Sequence, residues 1–294
     1  MTPRDLLLAI LTVVLWGGNV VAIKIGVGEL PAPMLLALRF SLTGLVFLPF
    51  IRWPDRSKLR LLAEISAYMA GHQMLLFICL RMLDASTMLI LLQSQILFAT
   101  LLGWLMLKEK ISLQTTIGLS VGFIGLLLTL GGPDVASHPW AFVLALVSTV
   151  SLALCYIRMR QLKEVHPATL IGMMNGLAAP FMVLFSLVIT PESWLHLMDV
   201  NWIKLAGVLG YQVVLVSYSH ILWQALLSRN EVAKVSSLIL LMPVAGILLS
   251  WMILHETLSQ SLLWGGCLTL LGVVIVTMRK KMPKYQAIAA DTAL

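Results

Sequence analysis

Ten apolar stretches, near residues 6–25, 33–51, 62–81, 85–107, 112–130, 139–159, 167–190, 202–226, 233–255 and 259–278, leave this 294-residue chain little room for anything but membrane-spanning helices. Each is about 18 to 25 residues long, and ~20 residues rising ~1.5 Å apiece cover the ~30 Å of hydrocarbon in a bilayer. Within lipid the backbone must satisfy its own hydrogen bonds, which a helix does inside one segment. Composition agrees: 60% of residues are hydrophobic and only 11% are charged, against roughly a quarter charged in a soluble domain. The connections are short, so no soluble domain is expected. Residues 282–294, which end in PKYQAIAADTAL, read as a cytoplasmic tail.

The placement of cations sets an orientation. The formal net charge is +7. With the N-terminus in the cytoplasm, that side holds Arg4; Arg52, Arg56, Lys58 and Arg60; Lys108 and Lys110; Arg158, Arg160 and Lys163; Arg229 and Lys234; and Arg279, Lys280, Lys281 and Lys284, sixteen of the twenty Lys and Arg residues. Only Arg81 and Lys204 lie near the opposite surface, while Lys24 and Arg39 fall inside apolar stretches. Because cations gather in cytoplasmic loops, ten crossings of a bacterial inner membrane with both termini cytoplasmic are expected. The basic balance thus reports topology: membrane lipids are expected as partners and nucleic acid is not. Cys79, Cys155 and Cys267 lie within spans, without disulfide or metal spacing, and read as packing residues. No metal or cofactor is expected. The first stretch passes through Asn19 and Lys24 without a small-residue cleavage site, so it reads as a retained span.

One passage occurs twice. LLGWLMLKEKIS (101–112) returns as LLSWMILHETLS (248–259) at a constant offset of 147. Leu101, Leu102, Trp104, Leu107, Glu109 and Ser112 match Leu248, Leu249, Trp251, Leu254, Glu256 and Ser259, and the register continues with Gly118 on Gly265 and Gly125 on Gly272. A five-span unit crosses an odd number of times, so its second copy enters the membrane inverted. Inverted repeats are a recurring transporter architecture, with the site near the midplane between the halves. The expected fold is all-α and integral to the membrane, ten transmembrane helices as two inverted five-helix repeats at residues 1–130 and 131–281.

Residues 16–40, WGGNVVAIKIGVGELPAPMLLALRF, contain a Trp-Gly-x-Asn turn, a lysine five residues on, a proline and an Arg-Phe pair. In these features, and in the E-x-x-S ends of spans four and nine at Glu109 and Glu256, the chain resembles EamA-type transporters of the drug/metabolite transporter superfamily over roughly residues 5–280. The phrasing VVLWGGNVVAIKIG and PAPMLLALRF is most similar to the cysteine and O-acetylserine exporter branch. The resemblance implies a ten-helix basket that exports or exchanges small metabolites, often amino acids or their derivatives. It also implies that spans one, three, four, six, eight and nine line the site, working by alternating access. Spans five and ten, nearly devoid of strongly polar residues, are expected to be scaffold.

An ionisable group in hydrocarbon costs at least ~2.5 kcal/mol on insertion scales, so those in the spans need a partner or a task. Asn19 and Lys24 lie in the outer half of span one and Arg39 in span two. Two cations at similar depth repel in low dielectric unless an anion joins them, and a substrate carboxylate would serve. Lys24 has the alternative of snorkelling to the outer surface. Span three carries His72 and Gln73, with hydrogen-bonded packing as the plainer role for His72. Span four carries Gln93 and Gln95, about 160° apart on a regular helix, so that only one faces inward squarely. In the second half, Asn175 lies in span seven, and the YQVVLVSYSHILWQ segment of span eight offers Tyr211, Tyr218 and Trp223 in a broad stripe, Tyr211 and Tyr218 sharing a face more closely than Trp223 does, with His220 on another side. The turn aligned with Asn19 holds Cys155 and Tyr156, so Tyr156 joins the candidates and the halves are expected to contact substrate unequally. Pro243 is expected to kink span nine and act as a hinge.

No acidic residue falls near the middle of a span, which disfavours cationic-drug antiport by a buried carboxylate. GLSVG at 118–122 fits the G-x-S-x-G pattern of a serine hydrolase, but that elbow needs a strand-to-helix turn. A small-residue helix face suits the stretch better, so no enzyme is expected. The candidate ligand is a small molecule, with a sugar derivative, a nucleoside or a quaternary amine as alternatives to an amino acid. A metabolite-binding scaffold that moves nothing is a further alternative, and a homodimer is left open.

Overall fold

Prolines and small polar side chains start the helices. Pro3, Pro139 and Pro167 stand in first turns, where no intrahelical N–H is needed. The side chains of Thr2, Ser112 and Asn201 accept hydrogen bonds from the backbone N–H groups of Asp5, Thr115 and Lys204 at 3.1, 3.2 and 3.1 Å. The computed structural model describes residues 1–109, 111–162, 165–195, 200–231, 234–235 and 238–277. Its principal helices are α1 (Pro3–Glu29), α2 (Ala32–Phe50), α3 (Arg56–Cys79), α4 (Ala85–Met106), α5 (Leu113–Gly131), α6 (Pro139–Met159), α7 (Pro167–Ile189), α8 (Trp202–Arg229), α9 (Leu238–Leu254) and α10 (Gln260–Thr277). Among the described residues nine are long and apolar enough to cross a membrane, α9 is a shorter apolar helix, and no strand occurs. The tail at 282–294 and the cations Lys110, Lys163, Arg279, Lys280, Lys281 and Lys284 lie outside the described residues.

The main packing pairs join one half to the other: α1 lies on α9 and α8, α2 on α7, α3 and α4 on α6, and α5 on α10. The α5–α10 pair runs antiparallel, as inverted copies must. A Cβ on Gly118 would meet the Gly272 carbonyl, one on Gly125 would meet Thr269 and Gly265, and one on Gly131 would meet Ser261. The Gly125 Cβ would stand 2.3 Å from the Thr269 nitrogen, and a Cβ on Gly272 2.3 Å from that of Gly122. Backbone therefore packs directly on backbone, which is the role that small-residue faces play between membrane helices. Ser120 lies in the same unbroken helix, so the turn that a hydrolase elbow requires is absent.

The offset of 147 reappears in backbone geometry. Lys108 and His255 end their helices in the left-handed region, with φ of 53° and 56°, the two non-glycine residues of positive φ among those described. α4 breaks at Gln93, between Ala85–Leu92 and Ser94–Leu107. The matching Leu240 closes the 3-10 turn Leu238–Leu240 that precedes Leu241–Leu254. Pro243 therefore stands in the first turn of regular helix, where its missing N–H leaves no gap. The mid-span kink expected at Pro243 is instead a change of helix type just before it.

Arg52, Arg158, Arg160 and Arg229 gather at one end of the bundle, tied there by the Arg158–Glu64 and Arg160–Glu109 pairs and by the Arg52 N–H bond to Thr169. Toward the other end, Met34, Leu35, Phe77, Leu80, Leu83, Met88 and Leu89 belong to the main buried apolar cluster.

Candidate functional site

Midway along α2, Arg39 is only 8% exposed. Its Nη1 donates to Gln73 Oε1 on α3, and its Cζ lies 5.7 Å from the centre of the Phe77 ring. No ion pair reaches it among the described residues. A neutral amide and an aromatic face orient the guanidinium but leave its charge uncancelled, and a buried charge in that condition costs several kcal/mol. The middle of the bundle thus holds one buried cationic charge without an ion-pair partner among the described residues.

Neighbouring helices supply unpaired amides. Asn19 Oδ1 on α1, Gln93 Nε2 and Gln95 Oε1 at the break of α4, and both amide atoms of Gln212 on α8 are buried without a hydrogen-bond partner. Each such atom forgoes roughly 1–3 kcal/mol that a partner would return. The other orphans among the described residues, His138 and Trp194, sit in connections between spans. Gln93 and Gln95 each keep one buried amide atom without a partner, and Gln93 retains right-handed helical angles at the break, with φ of −67° and ψ of −21°.

Other polar candidates are already engaged. His72 Nδ1 lies 3.0 Å from the Ser148 carbonyl oxygen and 2.8 Å from its hydroxyl, and that hydroxyl donates to the His72 carbonyl at 3.0 Å, so the imidazole fastens α3 to α6. Asn175 Nδ2 donates to the Ile171 carbonyl of its own helix at 2.8 Å.

In α8 the residues Tyr211–Val216 form a π-helical segment. Its wider turns break the 3.6-residue register, which is why Tyr211, Tyr218 and Trp223 do not form one stripe. The Tyr211 hydroxyl donates to the Leu15 carbonyl at 2.8 Å and lies against Gly18, where a Cβ would stand 2.6 Å from it. Trp223 packs on Trp16 with ring centres 5.0 Å apart, Trp16 also stacks on His220 at 4.9 Å, and the Trp16 indole N–H donates to Ser219 Oγ at 2.8 Å. Tyr218 is 62% exposed, and Tyr156 is exposed as well. Gln212 was not singled out from the sequence; its signal is a lone amide in an apolar, β-branched run.

At the end opposite the arginines, Lys24 Nζ donates to the Leu83 carbonyl at 2.7 Å, so it ties α1 to the connection between α3 and α4. Beside it, the Glu256 carboxylate accepts from Ala85 N–H at 2.7 Å, from Ser86 N–H and Oγ at 2.9 and 2.8 Å, and from Ser250 Oγ. This joins the end of α9 to the start of α4. The repeat-related Glu109 is half-exposed and pairs with Arg160 at 3.3 Å; Gly103, matching Ser250, leaves it room. Sequence reading placed both glutamates at span ends without their partners. Among the described residues no group of three or more His, Cys, Asp or Glu could hold a metal ion.

The profile of the EamA-like transporter family matches residues 4–131 and again residues 139–278. Similar curated proteins include the "probable amino-acid metabolite efflux pump" of Salmonella typhimurium, 28% identical over 94% of this chain and 95% of that one, and its namesake in Escherichia coli, with the same identity and coverage. The "uncharacterized transporter YoaV" of Bacillus subtilis is 23% identical over 92% of this chain and 96% of that one. A solved crystal structure at 17% identity superposes with a TM-score of 0.64 over 96% of this chain and all of that one, a likeness of fold alone.

Proposed function

The chain belongs to the EamA-like transporter family, within the drug/metabolite transporter superfamily, and from that premise we propose that this membrane transporter exports or exchanges amino acids or their derivatives. The observation that carries the reading is Arg39: a buried guanidinium with no ion-pair partner among the described residues, in a bundle whose neighbouring helices leave amides unpaired. A substrate carboxylate pairs with the guanidinium, Gln93 Nε2 adds a donor, and Asn19 Oδ1 and Gln95 Oε1 accept from the ammonium. The names of the enteric relatives support the same substrate class.

The arginine-rich end faces the cytoplasm, following the distribution of cations. The halves rock about the α5–α10 glycine contact, and the Glu256, Lys24 and Ser86 bonds close the outer end while substrate enters from inside. The cysteine and O-acetylserine branch is the first substrate set to try.

Solute counterflow in proteoliposomes tests this. Vesicles are preloaded in turn with cysteine, O-acetylserine, threonine, an aromatic amino acid and a quaternary amine, with and without a pH gradient. Counterflow confined to amino acids, and lost in Arg39→Gln, supports the reading. Counterflow with the amine alone overturns it and leaves Arg39 structural.

A further inference from the structure

Gln212 is 1% exposed, and both atoms of its amide, Nε2 and Oε1, are buried with no hydrogen-bond partner. It is the one residue among those described whose donor and acceptor are both left in this state. Its backbone belongs to the π-helical segment Tyr211–Val216, which packs on α1 and α2, the helices that carry Asn19 and Arg39. The preceding Tyr211 fixes that segment to α1 one turn before Asn19, through its bond to the Leu15 carbonyl. π-Helical turns interrupt helices frequently at functional sites, because the widened turn re-aims the side chains that follow.

Resting on the transport reading above, we infer that Gln212 is a specificity-determining residue that pairs with the polar end of the substrate's side chain and selects hydrogen-bonding amino acids over aliphatic ones of the same size. The inventory of unpaired atoms makes this assignment. Arg39 and Gln93 Nε2 are donors and suit a carboxylate, whereas Asn19 Oδ1 and Gln95 Oε1 are acceptors and suit an ammonium. Gln212 offers both kinds side by side, which fits a hydroxyl or an amide through both atoms, a thiol more weakly, and an ester through its Nε2 donor alone. A site built to hydrogen-bond a substrate rejects the analogue that lacks the group, because its own buried polar atoms then stay unpaired.

The test is competitive counterflow in proteoliposomes with two pairs, cysteine against 2-aminobutyrate and O-acetylserine against norleucine, in wild type, Gln212→Leu and Gln212→Asn. Wild type is expected to prefer the polar member by about tenfold or more in apparent KM. Gln212→Leu should bring that ratio to within about threefold by raising KM for the polar member, with maximal rate kept, and Gln212→Asn should restore part of it. Gln212→Met, which keeps the length of the side chain, replaces the leucine variant if that one fails to fold. An unchanged ratio in a folded variant, or an equal loss of maximal rate for both members, overturns the assignment and leaves Arg39 and the transport reading intact. Wild type that moves no amino acid overturns both.

Discussion

Glu256 at the end of α9 receives both the backbone N–H and the hydroxyl of Ser86 at the start of α4, at 2.9 and 2.8 Å, across 170 residues of chain. Charge-assisted bonds of this kind are about twice as strong as neutral ones, and the carboxylate also caps the first turn of a helix, where negative charge is favoured. Removing it strands buried N–H groups. Glu256→Ala should lower stability by about 2–4 kcal/mol and Ser86→Ala by about 1 kcal/mol. Glu109→Ala, which breaks an exposed pair, should cost at most about 1 kcal/mol. Thermal unfolding of the three variants in one detergent checks the order, and equal losses at Glu109 and Glu256 would contradict it.

Arg39→Gln keeps a hydrogen-bonding side chain and deletes the charge. A charged hydrogen bond contributes roughly 1.5–3 kcal/mol, so counterflow of carboxylate-bearing solutes should fall by about 10- to 100-fold. Melting temperature should hold or rise, since an unpaired buried charge is removed. A variant that melts much earlier than wild type would show that Arg39 serves the fold.

Glycine-to-alanine substitutions should divide by position. At Gly125 and Gly272 the new Cβ would press to 2.3 Å on backbone nitrogen, and overpacking of this kind costs about 1–3 kcal/mol or more. At Gly207, where a Cβ meets nothing within 4 Å on a helix, the change should be neutral or stabilising by about 0.5–1 kcal/mol. Fluorescence-detected gel filtration after a heating series separates the two groups.

Asp84, in the connection before α4, has its carboxyl pushed above the ordinary value of 3.8, first by burial and then by the Glu256 and Asp134 carboxylates, with Lys24 partly opposing. The folded chain thus holds this proton more tightly than the unfolded one. Its contribution favours folding below pH 3.8 and is lost as pH rises through the raised value. Asp84→Asn should flatten that part of the stability profile, measured as melting temperature between about pH 4 and pH 7. An identical slope in the variant would assign it to another group.

The spans were legible in the sequence because hydrocarbon imposes length and apolarity on every one of them. Gly118, Gly125, Gly265 and Gly272 were legible through the repeat, which marks them as a shared helix face. The break at Gln93 was not, since neither proline nor glycine stands there; it becomes visible beside Leu240, 147 residues later. Tyr211 and Tyr218 were assigned a common face on 3.6-residue geometry, and the π segment between them cancels it. Glu256 and Ser86 meet only through tertiary folding, so no local pattern announces the pair. Arg39, by contrast, stood out at once, because a charge in the hydrocarbon is conspicuous before any partner is known.

The glycine contact between α5 and α10 also bears on ancestry. Gly118 and Gly125 on one side answer Gly265 and Gly272 on the other, so the surface is complementary to its own inverted copy, as in a two-fold dimer. A free five-helix polypeptide carrying it would have needed to insert in both orientations to find its mate. A single chain holding both copies fixes that stoichiometry and frees each copy from serving both roles. The asymmetry of Gln93 against Leu240 is a divergence that two identical copies of one polypeptide could not carry.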